Sequence, residues 1–190
     1  KESEKLIPIA DKANIDVLLG VALPLTIQHP LYQPMKILVE MLGGGVTSHL
    51  MKTIRERDGL TYGVYSSLNG LDGGTDGYLK IFATFSPGTY KESVTKLREE
   101  IGIFFSDGLT EESLEKRKEE MTGSYLVALS TTQNLAHSLH TIGANGFELS
   151  YLTEYPNIIR AVSLSDIINA VELIPRDKLS LAASGTFKEK

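Results

Sequence analysis

Leu42-Gly43-Gly44-Gly45-Val46-Thr47-Ser48-His49-Leu50 is the stretch on which the fold turns. Upstream, Met35, Leu38, Val39 and Leu42 fall at i, i+3, i+4 and i+7, which predicts an amphipathic helix from Tyr32 to Leu42 that the three glycines end. Downstream, Thr47 or Ser48 is placed to N-cap a second helix running through Leu50, Met51 and Ile54 to Arg57, where Asp58-Gly59 stops it. Two helices therefore meet at a glycine elbow. A phosphate-cradling loop would need a preceding strand and a Lys that reaches the phosphates, and this stretch has neither.

Working outward, Ile15 to Leu25 is β-branched and aliphatic and reads as a largely buried strand, with a turn at His29-Pro30 behind it. Leu60–Leu68 and Tyr78–Phe85 read as the two arms of a hairpin around the glycine-rich loop Asn69–Gly77. Val94, Leu97, Ile101, Phe104 and Phe105 sit at helical spacing, and Thr110-Glu111-Glu112-Ser113 opens a long helix. Further helices are predicted at 132–143, 150–161 and 165–173, and Lys178–Ser184 closes as a short strand. Hairpin signals between helical pairs, with no regular strand–helix alternation, predict an α+β fold. Its antiparallel sheet should carry the helices mainly on one face and leave the other partly open. Residues 1–12, charged and interrupted by Pro8, read as a linker, and 13–190 as a single domain.

At 190 residues the chain is long enough to bury roughly 70% of its unfolded surface without staples. Nineteen basic against 24 acidic residues, with no basic stripe, argue against nucleic acid as a partner. No apolar run reaches membrane-spanning length. The absence of cysteine excludes disulfides, thiolate metal sites and a cysteine nucleophile, and leaves the redox compartment open. The start at Lys1-Glu2-Ser3-Glu4-Lys5, with neither an initiator Met nor an apolar leader, suggests a piece of something longer.

Chemistry must then come from His, carboxylates, Arg, Tyr or Ser. His137 and His140 are three apart on a predicted helix, but no acid lies between them to complete a metal site, and no zinc-hydrolase pattern occurs. Asp72–Gly77 half-matches a calcium loop, lacks the bidentate Glu at its twelfth position, and reads better as the hairpin tip. Glu111 to Glu120 reads as a solvated helix face. Arg55 and Tyr62, seven apart across the Asp58-Gly59 turn, remain. A helix-to-strand reversal there would let a guanidinium and a phenol serve one developing oxyanion, though an ordinary surface Arg and core Tyr satisfy the same spacing.

The elbow, together with Ile54-Arg55-Glu56-Arg57-Asp58-Gly59-Leu60-Thr61-Tyr62, resembles the insulinase/pitrilysin family of zinc peptidases, which includes the mitochondrial processing peptidases. The likeness is to the second, zinc-free half of that duplicated fold. It extends over nearly the whole chain, including Asp107-Gly108-Leu109-Thr110-Glu111-Glu112-Ser113-Leu114-Glu115 before the long helix. The resemblance implies a clamshell in which an N-terminal half, on the same polypeptide or a separate subunit, holds the zinc, and the two halves enclose an extended peptide. By that resemblance Arg55 orients the substrate backbone and Tyr62 donates to the tetrahedral oxyanion. The isolated chain would bind no metal and cleave nothing, dimerisation stays open, and a bacterial member would be periplasmic or extracytoplasmic. Two departures stand out: His49 replaces an Arg frequent in the family, and the elbow lacks the extended glycine-rich loop of the presequence-binding subunit. The competing expectations are a catalytically inactive scaffold of the same family and a peptide-binding module offering a sheet edge.

Overall fold

The structure is a computed structural model that describes residues 3–71 and 74–187. Five strands form one sheet in the order β1-β5-β2-β4-β3, with β1 Glu4–Pro8, β2 Ile15–Ala22, β3 Val64–Asn69, β4 Tyr78–Phe85 and β5 Ser180–Gly185. The helices are α1 Tyr32–Gly43, α2 Tyr90–Asp107, α3 Glu111–Ala128, α4 Thr132–Ala144, α5 Tyr151–Ala161 and α6 Leu164–Glu172, with a π-helix at Met51–Arg57. The α+β architecture matches the sequence expectation, as does the β3–β4 hairpin, paired from Val64↔Ala83 to Asn69↔Tyr78.

Side-chain alternation decides which face of the sheet is covered. Ile15, Val17, Leu19 and Val21 of β2 point inward with Leu79, Ile81, Ala83 and Phe85 of β4, and Leu181 and Ala183 of β5 join them. Met35, Leu38 and Leu42 of α1, Leu97, Ile101 and Phe104 of α2, and Ile167 and Val171 of α6 complete this core. The other face stays open. Tyr65, Phe82, Leu18 and Ala182 lie in one cross-strand row on it, and Tyr65 and Leu18 are exposed.

Two expectations are corrected, and a third lies partly outside the described residues. Residues 4–8, expected within a linker, form an edge strand whose side chains are all exposed. Backbone hydrogen bonding to β5, invisible in a charged local sequence, makes them a strand, and this one pairing is parallel (Glu4↔Leu181 to Pro8↔Gly185). Strand β2 is shorter than Ile15–Leu25 and is buried on one face only, as its partly solvated sheet requires. Of the predicted tip Asp72–Gly77, Asp72 and Gly73 lie outside the described residues.

The elbow exists because α1 lies directly on the edge strand. A Cβ on Gly43 would stand 2.6 Å from the Ser66 backbone nitrogen, and the Ser66 hydroxyl donates to the Val39 carbonyl at 2.6 Å. Gly45, at φ +140°, then turns the chain out of α1. Neither Thr47 nor Ser48 caps the next helix. The Ser48 hydroxyl donates back to the Gly45 carbonyl (2.6 Å), and that of Thr47 donates to Glu120 on α3 (2.9 Å).

Candidate functional site

Met51 and Ile54 bury against the core and anchor the helix that follows the elbow, while Arg55 between them and the turn is exposed. This helix is wider than an α-helix: the Asp58 N–H donates to the Thr53 carbonyl five residues back (3.0 Å), and the Leu60 N–H to the Ile54 carbonyl (3.0 Å). Periodicity in the sequence predicts a helix here and cannot tell one winding from the other. Gly59, at φ +64°, reverses the chain and folds residues 58–60 back beneath Arg55.

Thr61 is the buried pin of the next segment. Its hydroxyl lies 2.6 Å from the Thr84 carbonyl of β4, and the Gly63 N–H donates to it at 3.2 Å. With Thr61 facing in and Val64 in the core, Tyr62 projects into solvent at 92% exposure. It sits on the loop before β3, outside the strand that the sequence assigned it to. Neither Arg55 nor Tyr62 makes a side-chain hydrogen bond or ion pair with another described residue. A guanidinium and a phenol thus stand unengaged on either side of one fixed turn, and both can donate to an incoming carbonyl.

What fixes the turn is a buried carboxylate. Glu100 of α2, 3% exposed at its side chain, receives the His49 ring at 3.1 Å through Oε2 and Arg57 Nη2 at 2.8 Å through Oε1. His49 precedes the π-helix and Arg57 ends it, so one carboxylate braces both ends, with Lys96 at 3.5 Å. Arg57 also makes a two-pronged contact with Asp58, at 2.7 and 2.8 Å. Burial pushes the Glu100 carboxyl up, but the Arg57 hydrogen bond and charge, with His49 and Lys96, outweigh it and hold the group below its ordinary value. Burial against Phe104 (ring centroids 5.3 Å apart) lowers His49 more than Glu100 raises it, so the ring is neutral at pH 7 and donates through Nε2–H. Asp58 is depressed by its Arg57 hydrogen bond.

The sequence reading missed this brace, although a signal was there. Glu100 falls three residues after Leu97 and four before Phe104, on the apolar stripe of α2, where a carboxylate calls for partners.

The other sequence candidates go elsewhere. His137 and His140 are both exposed on α4. Glu111–Glu120 is not a wholly solvated face: Arg117 and Lys118 are buried because Arg117 ties Glu120 and Thr47 to the elbow and Lys118 donates to the Arg160 carbonyl. Among the described residues no three His, Cys, Asp or Glu side chains come together as metal ligands.

Known proteins resemble this chain in sequence and in fold. The chain is 26% identical over 165 residues, 87% of its length, to the uncharacterized zinc protease YmxG of Bacillus subtilis. It is 28% identical over 134 residues, 70% of its length, to a protein of Helicobacter pylori named non-peptidase homolog YmxG. It spans only 37% and 30% of those two proteins, respectively. In fold it matches the crystal structure of a peptidase M16 inactive domain from Pseudomonas fluorescens with a TM-score of 0.87 at 22% identity, covering 100% of this chain and 45% of that one. A family profile described as the peptidase M16 inactive domain matches residues 1–121. The chain therefore belongs to the family of M16 peptidase inactive domains.

Proposed function

We propose that this chain is the substrate-gripping half of a two-part zinc peptidase, with Arg55 and Tyr62 completing an active site whose metal lies on another domain or subunit. The observation that carries this reading is the pairing of two exposed, unengaged donors with a scaffold that holds their turn at both ends. Zinc on the other half would supply an activated water, with the catalytic base on that half as well. The residues of this chain act on the peptide: the Arg55 guanidinium grips and orients a backbone carbonyl of the extended peptide, and the Tyr62 hydroxyl donates to the oxygen that becomes an oxyanion. Donors fixed in advance stabilise that charge without reorganising, and one such donor contributes on the order of 10²–10³-fold to rate. The open sheet face, with Tyr65, Phe82 and Leu18, would line the peptide chamber.

The test is reconstitution with the zinc-binding half, followed by peptide hydrolysis. Tyr62→Phe is expected to lower kcat about 10²–10³-fold with little change in KM, and Arg55→Ala to damage both. Wild-type kcat/KM in both variants sinks the proposal. A second reading, an inactive scaffold, is favoured by the name of the Helicobacter pylori relative as a non-peptidase homologue. It predicts no hydrolysis by the reconstituted pair and no phenotype for either variant.

A further inference from the structure

A cavity apart from the Arg55–Tyr62 turn opens in the helical layer between α1, α3, α4 and α5. Its volume is about 230 Å³, and Tyr32, Tyr125, Phe147, Tyr151 and Tyr155 wall it. Phe147 and Tyr151 stack with planes 4° apart and centroids at 4.5 Å, and Tyr125 and Tyr155 meet at 4.4 Å. The phenols are tied back: Tyr125 donates to the Leu152 carbonyl (2.9 Å), Tyr151 accepts from Gln33 (2.7 Å), and Tyr155 accepts from Lys36 (3.2 Å). What remains presented to the cavity is mainly aromatic surface, with Ile27 and Ile142 beside it and the hydroxyls of Ser138 and Thr141 in the lining.

Lys36 and His137 border this space and no carboxylate lines it, although the Glu40 carboxylate, one turn along α1 from Lys36, interacts with both Lys36 and Tyr155. Burial raises the Tyr151 and Tyr155 phenols and keeps them neutral, Tyr155 at about 12, with Glu40 adding to its rise. A cationic guest is disfavoured, because the Lys36 ammonium already occupies the cation position 4.9 Å from the Tyr155 ring centroid. That ammonium has three donors, and the Tyr155 hydroxyl takes one. An engineered cavity of about 150 Å³ holds one benzene ring, so this volume fits one ring and a short acidic substituent but no long acyl chain.

We propose that this cavity binds a single-ring aromatic carboxylate, its ring against Phe147 and Tyr151 and its carboxylate on Lys36. The ligand is either a free acid or the carboxy-terminal aromatic residue of a peptide. The site is independent of the peptidase reading, and it survives if that reading fails.

The test is titration of the purified protein with 3-phenylpropionate and with Gly-Gly-Phe, followed through the methyl resonances of Ile27 and Ile142, alongside the corresponding amides. Saturable shifts are expected at both methyls, with ligand-ring contacts to them, and binding of the amides at least about tenfold weaker, since a charge-assisted contact is lost. Lys36→Met is expected to erase the difference between acid and amide, and Thr141→Trp, at the rim, to abolish binding without lowering the melting temperature. Tighter binding of Gly-Gly-Phe identifies a peptide terminus as the source, and binding of the free acid alone identifies a small molecule. No shift at millimolar ligand, shifts away from Ile27 and Ile142, or equal binding of acid and amide overturns the proposal. The amide comparison needs no variant to fold.

Discussion

Glu100→Gln tests the brace directly. The amide has nearly the shape of the carboxyl, so local packing is kept and only the charge changes. Gln can still accept from Arg57 through Oε1. Its NH₂ then faces His49 Nε2, which stops donating and accepts once the imidazole proton moves to Nδ1. The loss is therefore the charge-assisted part of contacts at 2.8 and 3.1 Å on a carboxylate that is 3% exposed. A buried charge left without its partner would cost about 3–5 kcal/mol, but Arg57 keeps Asp58 and half its surface in water, so the smaller range for one charged hydrogen bond, about 1.5–3 kcal/mol, applies. In a domain of this size that lowers Tm by about 3–12 °C. The assay is thermal and urea unfolding by circular dichroism at pH 7 and again in acid. Because the Glu100 carboxyl is depressed on folding, its stabilisation is present above the ordinary carboxylate range and disappears as pH falls through the depressed value. The gap between parent and variant must therefore close on acidification. A variant melting within about 1 °C of the parent at pH 7, or a gap that persists undiminished in acid, refutes the reasoning.

Other outcomes follow from the same geometry. His49 is lowered on folding, so the parent should lose stability as pH drops below about 6.5, and His49→Gln should flatten that segment of a stability–pH curve. Gly43→Ala drives a methyl into the Ser66 backbone and should cost about 1–3 kcal/mol in urea unfolding, whereas Gly102→Ala, where no atom lies within 4 Å, should not destabilise. Phe104→Ala, at 2% exposure, should cost about 3–5 kcal/mol. Tyr62→Phe and Arg55→Ala should leave Tm unchanged, because neither side chain holds anything in the fold; a drop of several degrees would assign them a structural role.

What could be read from the sequence was whatever leaves a periodic mark. α1 announced itself through Met35, Leu38, Val39 and Leu42, and the hairpin through glycines between two β-branched runs. Strand β1 left none, since all five of its side chains face water and only backbone bonds to a distant segment define it. At the site, the spacing of Arg55 and Tyr62 was visible. The π winding and the brace were not, because they depend on Glu100, 43 residues beyond Arg57 and disguised within a run of charged residues.

The position of β5 has a consequence for how the chain is made. It lies between β1 and β2, so these two strands, made before it, cannot complete their pairing until it arrives between them. The Ser3 N–H bonds to Ser180 and the Thr186 hydroxyl to the Ile9 carbonyl, each across 177 residues. On the ribosome, the nascent domain must therefore wait with the edge of β2 bare and β1 unattached until residues 180–185 have cleared the exit tunnel. Contacts of such long sequence separation slow folding. That interval is when an exposed strand edge is most open to capture by a chaperone or by another nascent copy.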